Sequence, residues 1–280
     1  QSRLRGGLGC RHVSPVMSDL LAHVDSVWQA VVPDLPGFTV EVLPSIDSTN
    51  TELMRRARAG LMEPVLLAAD EQTAGRGRLG KGWHSRAGQS LTFSLALPLA
   101  PADWSGLSLA VGVSLAESLH PDVRLKWPND LWLQQRKLGG ILVETASNGD
   151  GQARRTVVIG VGINIARPET EAVAALAVPG AVAAMAPAGL AEVHMGITAG
   201  ETLARVAPAL LHDVLTFETH GFAAFARRFA QRDALQGLAV RLSDGTEGTA
   251  CGVDAQGALQ LRTAQGLRAV TSSEVSVRPC

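Results

Sequence analysis

Val123-Arg124-Leu125-Lys126-Trp127-Pro128-Asn129-Asp130-Leu131-Trp132-Leu133-Gln134-Gln135-Arg136-Lys137-Leu138-Gly139-Gly140-Ile141-Leu142-Val143-Glu144-Thr145 decides the fold class. It divides into strands at Val123 to Trp127, Leu131 to Leu133 and Leu138 to Thr145. The turns between them are Pro128-Asn129-Asp130 and Gln134 to Lys137. A fourth apolar run, Thr156 to Ile165, follows the Gly- and Asp-rich stretch Asn148 to Arg155. Strands joined by tight turns pair antiparallel, whereas a doubly wound parallel sheet needs a long crossover between each pair.

Upstream, Ser90 to Leu97, Pro64 to Asp70 and Phe38 to Leu43 read as further strands. Thr49-Asn50-Thr51-Glu52 has the form of a capping box, opening a helix that stops at Gly60. Apolar periodicity predicts helices from Met17 to Pro33 and from Trp104 to Leu119, the latter with Leu107, Val111, Leu115 and Leu119 on one face. Downstream, two helices are expected, Thr198 to Thr219 and Gly221 to Asp233. Between Arg167 and Gly196 the chain reads as irregular with a short helix. From Leu238 to Val277, short strands alternate with turns at Asp244-Gly245, Asp254 to Gly257 and Gln265-Gly266, the pattern of a small antiparallel barrel. The expected organisation is therefore α+β. Residues 1–16 form a leader without periodicity, residues 17–234 a mixed, largely antiparallel sheet with flanking helices, and residues 235–280 a small C-terminal β-barrel.

A chain of 280 residues, 46% hydrophobic, can bury one full core and a second, smaller one. A formal net charge of −1 gives no field for holding nucleic acid or an anionic membrane. No apolar run approaches the roughly 18 to 20 residues needed to span a bilayer. The three cysteines, Cys10, Cys251 and Cys280, are too far apart and too few for a disulfide framework or a metal cluster. No signal-peptide pattern follows Arg3, Arg5 and Arg11, so the cytoplasm is the expected compartment. More telling is the imbalance of three lysines against 22 arginines, all three lysines (Lys81, Lys126, Lys137) falling between residues 81 and 137. Where surface charge is supplied by arginine, lysine persists where a compact ammonium does what a planar guanidinium cannot.

Gly75-Arg76-Gly77-Arg78-Leu79-Gly80 satisfies the pattern GxGxxG after a strand. A dinucleotide site, however, needs a helix N-terminus next, and here Lys81-Gly82-Trp83-His84-Ser85 leads into a strand. A flexible loop carrying Arg76, Arg78 and Lys81 suits closure over a polyanion instead, although alone it also fits a solvated basic hairpin. Lys126 to Asp130 sets a lysine, an amide and a carboxylate around a Pro-fixed turn. Gly139-Gly140 and Gly160/Gly162 weaken two apolar strands unless something approaches closely there. Asn164 is an amide on one of those strands that must find partners.

The segments Ser48-Thr49-Asn50, Gln72 to Trp83, Lys126 to Asp130, Lys137 to Glu144 and Gly160 to Asn164, in this order and spacing, resemble the biotin protein ligase family. The resemblance covers roughly Val40 to Ile165 and the tail. It implies a catalytic domain related to class II aminoacyl-tRNA synthetases, with an SH3-like barrel behind it. It also implies that ATP and biotin are substrates, that a magnesium ion accompanies the ATP, and that a biotin carrier protein is the partner. Ser48, Thr49, Asn50, Gln72, Gly75, Arg76, Lys137 and Gly140 would bind biotin. Arg76, Arg78, Trp83, Lys126, Asn129, Lys137 and Asn164 would bind ATP, with Trp83 on the adenine. Lys137, Arg76, Lys126 and Asp130 would form the catalytic set, Asp130 orienting the acceptor lysine; no metal ligand is assigned.

Some features depart from the family pattern. The residues ahead of Ser48 leave no room for the winged helix-turn-helix of the repressor-type members, so no nucleic acid is expected. Leu79 and Lys81 stand where arginine is common, and Ser272-Ser273-Glu274 replaces a Gly-Glu turn. Monomer and homodimer both remain compatible. Two other readings are a lipoate or octanoate transferase, which would lack the doubly arginine-bearing loop, and a non-catalytic biotin-binding protein, which would not need Lys126, Lys137 and Asp130.

Overall fold

A computed structural model of the chain describes residues 15–60, 63–147, 154–168, 186–271 and 277–279. Its larger sheet comprises β1 (Thr39–Ile46), β2 (Val65–Gln72), β3 (Ser90–Leu99), β4 (Val123–Lys126), β5 (Asp130–Leu133), β6 (Arg136–Ala146) and β7 (Arg155–Asn164). The order across it is β1-β2-β3-β7-β6-β5-β4. Only β1 and β2 are parallel; every other neighbouring pair is antiparallel. The expected meander runs through β4, β5, β6 and β7, with Leu125 opposite Leu131 and Ile141 opposite Val161, and the register of β5 on β6 shifts between Leu131 and Trp132.

Side-chain alternation along β2 explains the layering. Leu66 and Ala68 point into the large core with Leu20, Val27 and Val31 of α1 (Pro15–Val31). Val65 and Leu67 point the other way, against Leu53, Met54 and Ala57 of α2 (Thr49–Arg58). α3 (Leu107–Leu119) and α4 (Ala199–His220) share the α1 side. With both faces covered, β3 and β7 are buried along almost their whole length, and β7 is accordingly a nearly unbroken apolar run.

Several expectations need correction. The cap of α2 is Ser48, whose hydroxyl accepts from the Thr51 N–H at 3.3 Å, not Thr49. The Thr49 hydroxyl is turned instead to Ser94, 2.8 Å away. α3 starts at Leu107 rather than Trp104, because Gly106 turns the chain at φ +80° where a side chain would collide with Phe222. No helix runs from Gly221 to Asp233. A turn at Phe222–Ala224 and the short α5 (Ala226–Ala230) replace it, burying Phe222, Phe225 and Phe229. After that the backbone is drawn out beside β4: the Leu125 N–H donates to the Arg232 carbonyl and the Ala234 N–H to the Leu125 carbonyl, which a helix could not permit.

The tail forms β8 (Ala239–Leu242), β9 (Glu247–Val253), β10 (Leu259–Thr263), β11 (Gly266–Val270) and β12 (Val277–Pro279), with the turns where the sequence predicts them. Their order, β11-β10-β9-β8-β12, is that of an open five-stranded antiparallel sheet among the described residues, not a closed barrel. β12 is three residues long and ends in Pro279, which lacks an N–H to extend the ladder. The two sheets are joined by a hydrogen bond from the Trp127 indole N–H to the Gly257 carbonyl at 3.0 Å. The leader (residues 1–14), most of the 167–196 segment (residues 169–185) and Ser272-Ser273-Glu274 lie outside the described residues.

Candidate active site

A cavity of about 180 Å³ opens where the N-terminus of α2 meets β3, β6 and β7. Its floor is polar yet carries no charge. The Thr49 N–H donates to Gln72 Oε1 at 2.8 Å, and the Thr49 and Ser94 hydroxyls lie 2.8 Å apart. Ser94 donates to Asn50 Oδ1 at 2.6 Å, and the Asn50 amide donates to Glu144 at 2.9 Å and to the Leu142 carbonyl at 3.3 Å. Each hydroxyl has one proton, so the consistent assignment runs from Thr49 to Ser94 to Asn50, leaving Gln72 Oε1 to the Thr49 N–H. Thr49, Asn50 and Ser94 are buried, and this network is what makes their burial tolerable.

The glycines explain how side chains reach this floor. A Cβ on Gly160 would collide with the Asn50 amide, one on Gly139 with the Gly162 carbonyl, and one on Gly162 with the Trp83 ring. Close approach is thus the reason for glycine in these strands, as their pattern implies.

A strap from Gly75 to Trp83 covers the cavity. Its legs are stitched by Trp83 N–H to the Gly75 carbonyl at 2.9 Å and Gly77 N–H to the Lys81 carbonyl at 2.6 Å, with a bridge between Arg76 and Gly82. At its tip a single turn, Arg78–Gly80, holds Leu79 at φ +57° with its side chain exposed. Left-handed backbone is unusual for leucine. Arg76 extends from the strap to Glu144 at 2.9 Å and to the Thr51 hydroxyl at 3.1 Å. Burial lowers the Arg78 guanidinium from its ordinary pKa, opposed by Asp130. The Trp83 indole N–H is buried without a hydrogen-bond partner among the described residues.

The rim is charged. Lys137 Nζ lies 2.7 Å from Asp130 Oδ1, and Lys126 Nζ lies 3.6 Å from Asp130 Oδ2. Lys126 also stands 5.3 Å from the centre of the Trp132 ring, a favourable cation–π distance. Burial pushes the Lys126 ammonium below its ordinary pKa; Asp130 resists this and Lys137 adds to it. The turn between these charges is braced by Asn129, whose side-chain amide donates to the Ile141 carbonyl at 2.8 Å and whose carbonyl accepts from the Ile141 N–H at 3.0 Å. Its Trp127–Pro128 peptide is cis.

Ser48, Thr49, Asn50, Gln72, Arg76, Arg78, Trp83, Lys126, Asn129, Asp130, Lys137 and Gly140 all line this one cavity. Lys81 joins them, so every lysine in the chain borders the same space. Two predicted residues do not. Gly75 sits at the strap's base, where a Cβ would strike the Trp83 carbonyl. Asn164 donates to the Ala188 carbonyl at 3.0 Å and borders a separate space of about 50 Å³ with His84, Arg86, Gln89 and Ser90.

Sequence reasoning gives no role to Thr92, Ser94 or Val277, which also line the cavity, nor to Glu144. Ser90, Thr92 and Ser94 recur every second residue in an apolar strand, so a polar face is detectable there. Val277 arrives from β12, and only long-range pairing brings it to the cavity. Among the described residues, no group of three or more His, Cys, Asp or Glu side chains could hold a metal ion. No described helix is long and apolar enough to cross a membrane.

Residues 42–164, which supply all of the cavity's lining but Val277, match the model of the Biotin/lipoate A/B protein ligase family. Residues 238–278 match the Biotin protein ligase C terminal domain. Over 258 residues the chain is 36% identical to the "Bifunctional ligase/repressor BirA" of Escherichia coli, covering 89% of this chain and 77% of that protein. Over 245 residues it is 34% identical to the "Biotin--[acetyl-CoA-carboxylase] ligase" of Paracoccus denitrificans, covering 84% and 98% respectively. The structure of the Aquifex aeolicus biotin protein ligase in complex with biotin and ATP superposes with a TM-score of 0.70 at 27% identity. That superposition covers 86% of this chain and 99% of that one. A uniform likeness that spans the cavity, the strap and the tail sheet leads to one conclusion: the chain belongs to the biotin protein ligase family.

Proposed function

We infer that this chain activates biotin with ATP to biotinyl-5'-AMP and passes the biotinyl group to a lysine of a biotin carrier protein. One observation carries this reading. Arg76, Arg78, Lys81, Lys126 and Lys137 surround a cavity whose floor is polar but uncharged, and among the described residues Asp130 is the one carboxylate lining it. A neutral bicyclic head group with an anionic tail suits such a space: ureido atoms to the floor amides and hydroxyls, carboxylate to the cations.

In the first step a biotin carboxylate oxygen attacks the α-phosphorus, forming the acyl–phosphate bond while pyrophosphate departs with the electrons of the broken P–O bond. Two anions must meet, so the chain's contribution is positive charge already in position. Arg76, Arg78 and Lys137 supply it in this reading, with Lys126 behind them. In the second step the acceptor amine attacks the acyl carbon and AMP leaves. Asp130, held between two ammonium groups, accepts a hydrogen bond from that amine and orients it. The strap, with Trp83 against the adenine, keeps water from the mixed anhydride between the steps. Asn129, Ser48, Thr49, Asn50, Gln72 and Gly140 serve the ligands, and Asn164 reaches the nucleotide from its neighbouring space. Magnesium would accompany the ATP, held chiefly by the phosphate oxygens themselves.

In the same reading, residues 17–234 are the catalytic unit, related to class II aminoacyl-tRNA synthetases, and the tail sheet is SH3-like. The family's carrier, the biotin carboxyl carrier domain of acetyl-CoA carboxylase, is the proposed acceptor. The test is direct: purified protein with biotin, ATP and magnesium releases pyrophosphate, and adding the carrier domain yields a biotinylated lysine. Pyrophosphate release that is independent of biotin, or equal release with lipoate or octanoate, would contradict the assignment.

A further inference from the structure

Glu144 lies on β6 opposite Val158, outside the ring of cavity-lining side chains. Its carboxylate serves two different parts of the molecule. Toward the floor, Oε2 accepts from the Asn50 amide at 2.9 Å. Toward the strap, Oε2 and Oε1 accept from Arg76 Nη2 at 2.9 and 3.3 Å. The Arg76 Nε donates to the Thr51 hydroxyl at 3.1 Å, in the first turn of α2. The orientation of the Asn50 amide is dictated: its oxygen receives the Ser94 hydroxyl and faces Gly160, so its nitrogen must find an acceptor on the Glu144 side. Glu144 thereby joins a buried, fixed amide to a half-exposed guanidinium.

We propose that Glu144 is the positioning residue that anchors the base of the strap, holding Arg76 against the floor network while the tip, Arg78 to Lys81, remains able to open and close. The two loop arginines then have different duties. Arg76 is pinned at two of its nitrogens by Glu144 and Thr51 and presents a preset donor face to the cavity. Arg78 lies in the turn at the tip. A charged pair that is partly exposed contributes little to global stability, so the anchor acts through orientation: contacts at two nitrogens fix the plane of a guanidinium where a point contact would not.

The kinetic part of this proposal rests on the reading of Arg76 given under Proposed function; the conformational part does not. The experiment separates them. The full-length protein, without substrates, is treated with trypsin, and cleavage after Arg76, Arg78 and Lys81 is timed by mass spectrometry for the wild type, Glu144→Ala and Glu144→Gln. Loss of the anchor should speed cleavage in the strap by about tenfold in Glu144→Ala, tracking the larger open fraction. Cleavage elsewhere should be unchanged. Glu144→Gln, which keeps an acceptor for Asn50 and Arg76, should fall between. In biotin-dependent pyrophosphate release, KM for biotin should rise more than kcat falls, again with partial recovery in Glu144→Gln. Strap cleavage equal to wild type, or cleavage rising equally at all sites, would overturn the anchor. Faster strap cleavage with an unchanged KM for biotin would uphold the anchor and overturn the ligand-facing reading of Arg76.

Discussion

The floor of the cavity and the strap above it solve opposite problems with different chemistry. The floor buries Thr49, Asn50 and Ser94 and satisfies them against one another, the chain of hydrogen bonds ending on the partly exposed carboxylate of Glu144. Glycines at 139, 160 and 162 let backbone and side chains touch. The strap carries a half-exposed Arg76 and a partly buried Arg78, braces itself with few backbone hydrogen bonds, and tolerates a leucine in left-handed backbone at its tip. Recognition of a neutral head group calls for a rigid, preset surface. Enclosing a reactive anhydride and then releasing it calls for a segment that moves. In the proposed reading, specificity and protection fall to separate parts of one site.

Substitutions can probe that division. The largest effect belongs to the cationic rim shared by both parts. Lys137→Ala removes an ammonium 2.7 Å from Asp130 and should lower biotin-dependent pyrophosphate release by about 3 kcal/mol, roughly a hundredfold. Intact folding, checked by circular dichroism, would assign the loss to chemistry. Next, Gly160→Ala should destabilise the protein by about 1–3 kcal/mol through overpacking against Asn50 and weaken biotin binding. Gly82→Ala in the strap, where the nearest atom to a new Cβ is His84 Nε2 at 3.9 Å, should stay within about 0.5 kcal/mol of wild type. Urea denaturation of both variants measures the difference, and equal losses would erase the distinction between floor and strap.

A further test concerns the rigid sheet away from the ligand. Asp70 on β2 is 4% exposed, and neither of its oxygens finds a hydrogen-bond partner among the described residues. Burial, with Asp19 adding to it, raises its carboxyl pKa above the ordinary 3.8. A carboxyl whose folded pKa is raised binds extra proton in the native state. Its contribution therefore becomes less favourable as pH rises from 3.8 through the folded pKa, and the penalty is fully present once pH exceeds that folded value. Asp70→Asn should accordingly gain about 1–2 kcal/mol at about pH 7.5, a gain that vanishes toward about pH 4. Thermal unfolding across that range checks it; a gain that is the same at every pH would contradict the burial argument.

Most of the sheet is legible in the sequence because its signals are local. The turns at Pro128 to Asp130 and Gln134 to Lys137 set the antiparallel meander, and the nearly unbroken apolar run of β7 reflects two covered faces. The clustering of the three lysines likewise marks the site from composition alone, and all of them border the cavity. What the sequence does not reveal depends on distant partners. The Gly221 to Asp233 helix gives way because Leu125 claims the backbone at Arg232 and Ala234, far away in sequence. The cap passes from Thr49 to Ser48 because the Thr49 hydroxyl is turned to Ser94. Asn164 and Gly75 belong to the right segments, yet their neighbours, Ala188 and Trp83, hold them outside the main cavity. Glu144 closes the Lys137 to Glu144 segment without a role of its own, since nothing in its local sequence announces a reach to Arg76.

Whether the strap guards the adenylate is most directly measured by retention of biotinyl-5'-AMP in the absence of carrier. Protein preloaded with biotin and ATP is passed rapidly over a desalting column, and release of labelled adenylate is followed with time for wild type and for the Arg76→Ala/Arg78→Ala double variant. The wild type should hold the adenylate, and the double variant should lose it at least about tenfold faster. Equal rates of loss would mean that these arginines do not close over the anhydride, and the proposed mechanism would be wrong.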